Sequence, residues 1–80
     1  MYGVAFSKPG AMIDASIGIL PAPSFHVHCN TSGTYRIWTS IGNYADLYLY
    51  KGLAYGLPGT IKITTTADAA VGVGEIIAFL

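Results

Sequence analysis

The sequence predicts an all-β protein: a small antiparallel β-sandwich or barrel of about six to seven short strands. Three observations predict it. Short apolar runs recur at roughly ten-residue spacing, several of them alternating with period two. Gly and Pro cluster between those runs, as turns require. The stretch Thr34 to Tyr50 places two runs rich in aromatic and β-branched residues on either side of Gly42-Asn43. That pair tolerates positive φ and predicts a hairpin with a two-residue loop.

Taken in order, Tyr2–Phe6 is a short apolar strand candidate, and Pro9-Gly10 suits a type II turn. Ala11 to Leu20 reads as a strand interrupted at Gly18, with Pro21 and Pro23 in an extended linker beyond it. Phe25-His-Val-His-Cys29 alternates strictly, so Phe25, Val27 and Cys29 share one face and His26 and His28 the other. In the hairpin, Tyr35, Ile37, Thr39 and Ile41 should face inward with Ala45, Leu47 and Leu49. Trp38, Tyr44, Tyr48 and Tyr50 should form an aromatic outer face. Lys51 to Gly59 reads as a loop, with Pro58-Gly59 as a second type II turn. Thr60 to Thr66 alternates, with Ile61 and Ile63 inward and Thr60, Lys62 and Thr64 outward. Ala67 to Val71 reads as a turn or loop. Val73 to Leu80 ends in a strand apolar on both faces, which calls for cover on both sides.

Eighty residues make one domain, 1–80, and one this small is marginal alone. Small scaffolds usually compensate with disulfides, a metal or association. A single cysteine, Cys29, excludes an intrachain disulfide. Charged residues are only 10% and hydrophobic ones 52%, against about 25% charged in an average domain. Lys8, Arg36, Lys51 and Lys62 balance Asp14, Asp46, Asp68 and Glu75 to zero net charge. Such a surface favours association, so a homo-oligomer is expected.

The same balance argues against other partners. No basic patch exists for nucleic acid, and no polybasic segment for anionic lipid. Met1 to Lys8 lacks the pattern of a signal peptide. Ala15 to Tyr35 is uncharged, but its prolines, histidines and Asn30 make a membrane span a poor reading.

Catalysis finds little support. The four acids lie in four different segments, so no local carboxylate pair is visible. Cys29 and His28 sit on opposite strand faces, a poor nucleophile–base geometry. Gly72-Val-Gly74 lacks the third glycine and the helix of a phosphate-binding loop.

Two features remain as candidate sites. His26 and His28 lie about 7 Å apart on one strand face. One chain cannot close a zinc site with them. Three chains around an axis would surround an octahedral transition metal with six imidazoles. In that setting His-x-His resembles the metal-binding tips of trimeric phage tail spikes and fibres. The aromatic face is the second candidate, because Tyr and Trp are enriched at interfaces and also stack on sugars.

The low charge, the absence of disulfides and targeting, and the apolar final strand resemble small virion proteins of tailed bacteriophages. Capsid decoration (cement) proteins and tail or fibre components both share this style. The resemblance implies a non-enzymatic structural protein, a homotrimer assembled with other virion or scaffold proteins and located in the virion. Trp38, Tyr44, Tyr48, Tyr50, Ile76, Phe79 and Leu80 are then the expected interface. The competing class is a carbohydrate-binding β-sandwich whose aromatic face takes a glycan.

Overall fold

The computed structural model describes residues 12–80, so the expected strand Tyr2–Phe6 and turn Pro9-Gly10 lie outside the described residues. Those residues form two antiparallel sheets with seven strands, a sandwich as the periodicity predicts. The strands are β1 (Met12–Asp14), β2 (Ser24–Cys29), β3 (Gly33–Ser40), β4 (Asn43–Leu49), β5 (Ala54–Thr60), β6 (Lys62–Thr65) and β7 (Ile76–Phe79). Sheet one has the order β1-β7-β2-β5, and sheet two the order β4-β3-β6. The chain passes from one sheet to the other at Ile61. There its N–H donates to the Trp38 carbonyl and its carbonyl accepts from Leu20, both at 2.8 Å.

The core lies between the sheets and follows the alternation. Val27, Cys29, Ile76 and Ala78 come from sheet one; Tyr35, Ile37, Leu49 and Ile63 come from sheet two. Ala15, Leu20 and Val71 close it from the connecting segments. Each buried aliphatic side chain contributes about 1.5–3 kcal/mol relative to exposure.

Several elements differ from expectation, each for a local reason. The strand expected over Ala11–Leu20 stops at Asp14. Its carboxylate accepts from the Ser16 N–H at 3.0 Å and caps a 3-10 turn over Ala15–Ile17. The loop expected over Lys51–Gly59 instead contains β5. Tyr55 and Leu57 alternate inward there, and Pro58 is tolerated because β5 lies at a sheet edge. Gly59 does take positive φ (80°), but within an irregular pairing: Ser24 faces Thr60 and His26 faces Gly56. That irregularity buries Ser24 and leaves Phe25 70% exposed, against the strict alternation expected of Phe25, Val27 and Cys29.

The hairpin turns on Ile41-Gly42, one residue earlier than expected. Ser40 pairs with Asn43, Gly42 takes φ 90°, and Asn43 Nδ2 donates to Ser40 Oγ at 2.8 Å. Ile41 is therefore at the exposed tip and not in the inward row. Ala45 and Leu47 face inward but remain exposed, since sheet one does not reach over them. Thr60 and Thr64, expected outward, are buried. The final strand, β7, lies between β1 and β2, with Ile76 and Ala78 in the core.

Candidate functional site

The outer face of sheet two is built by register. On it Trp38 faces Tyr44, Arg36 faces Asp46 and Thr34 faces Tyr48; across β6, Arg36 faces Thr64 and Trp38 faces Lys62. Opposed side chains at these separations interact directly. Arg36 is the centre. Its Nε and Nη2 donate to the two carboxylate oxygens of Asp46 at 2.9 and 3.2 Å, and Nη1 donates to Asp68 at 2.8 Å. This two-point fork fixes orientation as well as charge. The guanidinium carbon lies 4.0 Å from the centre of the Tyr44 ring.

The electrostatics follow from that geometry. Hydrogen bonds to Asp46 and then Asp68 raise the pKa of Arg36 further above its ordinary value. The hydrogen bonds from Arg36 hold the Asp46 carboxyl below its ordinary value. Positive and negative charge thus cancel within the face.

Trp38 is held just as firmly. Its ring meets Tyr44 at 4.7 Å, Lys62 Nζ lies 4.9 Å from its ring, and its Nε1 donates to Thr64 Oγ1 at 3.0 Å. The indole covering Thr64 is the reason that residue is buried on an outward position. Tyr48 and Tyr50 meet edge to face at 4.9 Å and are half exposed. Of the four aromatic residues expected on this face, register places Trp38, Tyr44 and Tyr48 there, and Tyr50 packs against Tyr48 from just past β4. Sequence reasoning missed the contribution of Asp68, which arrives from the turn after β6 with φ 62°.

The outer face of sheet one carries the histidines. Register aligns Met12, Phe79, His26 and Gly56 in one row, and Asp14, Ile77, His28 and Ala54 in the next. His26 stacks on Phe79 with centroids 4.5 Å apart and planes 6° from parallel. Cys29 points the other way, buried, with Sγ donating to the Thr31 carbonyl. Among the described residues no three His, Cys, Asp or Glu side chains gather into a metal site.

The expected interface residues therefore divide. Trp38, Tyr44 and Tyr48 lie on sheet two and Tyr50 follows the end of β4 against Tyr48, while Phe79 lies on the opposite outer face. Leu80 is half-buried beside the core. Ile76 is a correction: it is wholly buried in the chain's own core and offers no surface to a partner.

A third region lies where the sheets part. Between β4 and β5 an open groove of about 370 Å³ is lined by Ile37, Ala45, Leu47, Leu57 and Pro58, with Tyr44 at its rim. No helix among the described residues is long and apolar enough to cross a membrane. Comparison with protein-family models, curated proteins and solved structures finds no match.

Proposed function

We propose that this chain is a non-enzymatic structural subunit that works as a homo-oligomer within a larger particle. The observation that carries the reading is apolar surface on a nearly uncharged chain. Met12, Ile17, Ile19, Phe25, Tyr48, Tyr50 and Val73 are each more than half exposed. Exposed apolar side chains on a chain with only 10% charged residues and zero net charge favour self-association.

The carboxylates support the same reading. Asp46 and Asp68 bind Arg36, Asp14 accepts from the Ser16 and Gly74 N–H groups, and Glu75 accepts from the Gly72 N–H. All four acids are engaged in holding the chain's own shape. A virion component of the capsid-decoration or tail and fibre type fits this chemistry, with Trp38, Tyr44, Tyr48, Tyr50 and Phe79 as contact residues. A trimer would bring the His26 and His28 faces together at its axis. The glycan reading draws on the same aromatic face, but Tyr44 and Lys62 already pack against the Trp38 ring that a sugar would need.

Sedimentation of the purified full chain tests the proposal. A defined oligomer at micromolar concentration is expected. A monomer there, together with glycan binding that Tyr48→Ala abolishes, would replace the assembly reading with the binding-module one.

A further inference from the structure

The free edge of β4 is the least protected strand edge among the described residues. Natural sheets guard their edges with short strands, Pro, Lys or irregular pairing. β5 carries Pro58 within an irregular stretch, and β1 shows three residues within the described part of the chain. β6 has four residues, includes Lys62, and is followed by a bridge from Thr64 to Ala70. β4 has seven residues with neither Pro nor Lys, and the one irregularity of its pairing sits beside the turn, where Thr39 of β3 is the extra residue. Its single charge, Asp46, is neutralised from within the sheet by Arg36. Its inward residues Ala45 and Leu47 lie in the open groove, so edge and apolar surface are continuous.

Resting on the homo-oligomeric reading above, we infer that β4 pairs antiparallel with β4 of a second copy about a two-fold axis at Leu47. The strand is self-complementary in that register. Inward, Leu47 meets Leu47 of the second copy over the open groove, while Ala45 stands opposite Leu49, whose side chain stays in its own core. Outward, Asp46 meets Tyr48, whose hydroxyl can donate to the carboxylate. Centring the axis on Asp46 would instead set two carboxylates directly opposite, which costs stability. The two three-stranded sheets become one six-stranded sheet, an isologous contact. A three-fold contact through the histidine face would use a different surface.

Cysteine cross-linking with sedimentation of the full chain tests this. Leu47→Cys should oxidise to a covalent dimer, since directly opposed positions fall within disulfide reach. Asp46→Cys should not, because its copies would be diagonal and about 8 Å apart. Leu47→Lys should weaken self-association at least ten-fold. If it fails to fold, the cysteine pair still decides. Wild-type oligomer with no Leu47→Cys cross-link, or with Asp46→Cys cross-linking instead, overturns the β4 pairing and leaves the assembly reading standing. In that outcome another occupant, such as residues 1–11, covers the edge. A monomeric wild type overturns both.

Discussion

The two outer faces of this sandwich are held in different ways. On sheet two, Arg36 spans three elements with charge-assisted bonds to Asp46 and Asp68, and Trp38 is fixed by Thr64, Tyr44 and Lys62. On sheet one, the one aromatic contact among the described residues is His26 flat on Phe79, flanked by apolar Met12 and Ile77. Directional bonds fix side-chain positions before any partner arrives, which lowers the entropy cost of binding. Stacking and apolar contact leave side chains freer to adapt. Sheet two therefore presents a preset surface and sheet one an adaptable one.

The largest test of that contrast is truncation of each face's central ring. Trp38→Ala removes a half-buried indole, the Thr64 bond and the support of Tyr44. It should destabilise the fold by about 2–4 kcal/mol in urea unfolding. Phe79→Ala should cost about 1–2 kcal/mol, its half-buried area plus the stack on His26. Equal costs would show that the two faces are held alike.

The next effect is electrostatic. Asp46 has its pKa lowered by Arg36, so its contribution to stability is present above the ordinary carboxylate value of 3.8 and is lost as pH falls through the depressed value. Asp46→Asn should be less stable than wild type at neutral pH, with the gap closing in acid. Phe79→Leu should show a gap that does not change over that range. An Asp46→Asn gap that persists at low pH would remove the ion pair from the account of sheet two.

How much of this was legible in the sequence depends on whether the controlling feature was periodic. The core rows Val27/Cys29, Tyr35/Ile37 and Ile63 are read from period two and are buried as expected. The pairing of Arg36 with Asp46 is harder. A two-residue loop closed on Ser40 and Asn43 would set Arg36 opposite Leu47. One extra residue at Thr39, between the paired Trp38 and Ser40, shifts the register to Asp46. The signal was present, since placing Tyr35 and Ile37 with Ala45 and Leu47 on one face already demands that shift. β5 was not legible because Gly56, Pro58 and Gly59 read as turn residues; edge position and long-range pairing with β2 override that local preference. The exposure of Ala45 and Leu47 was equally hidden, because alternation gives the direction of a side chain and not what lies above it.

Beneath sheet two, Tyr35 offers a smaller effect. Burial, then the charge of Glu75, pushes its pKa from 10.0 up to about 12. Its stabilisation is complete below pH 10 and declines as pH rises through that range, because unfolding then releases a proton that the folded state retains. Tyr35→Phe should lose about 1 kcal/mol at pH 7 with the bond to the Thr31 carbonyl. It should also flatten the alkaline limb. A limb unchanged in Tyr35→Phe would assign it to other groups.

The smallest effect separates the sheets by polar satisfaction. Ser24 begins β2, is 1% exposed, and its hydroxyl has no hydrogen-bond partner among the described residues. On sheet two the buried Thr64 hydroxyl has two: it accepts from Trp38 and donates to the Thr65 carbonyl. A buried hydroxyl without a partner forfeits its bonds to water and gains none in return. Ser24→Ala removes one oxygen and leaves no acceptor waiting, so stability should be unchanged or higher by up to about 1 kcal/mol. Thr64→Val keeps the volume but leaves the Trp38 N–H unmatched, and should cost about 1 kcal/mol or more. Opposite signs from two buried hydroxyl deletions would locate the directional bonding in sheet two. A clear loss in Ser24→Ala would mean that sheet one also relies on a buried polar contact, and the contrast between the faces would narrow to Arg36 and its two carboxylates.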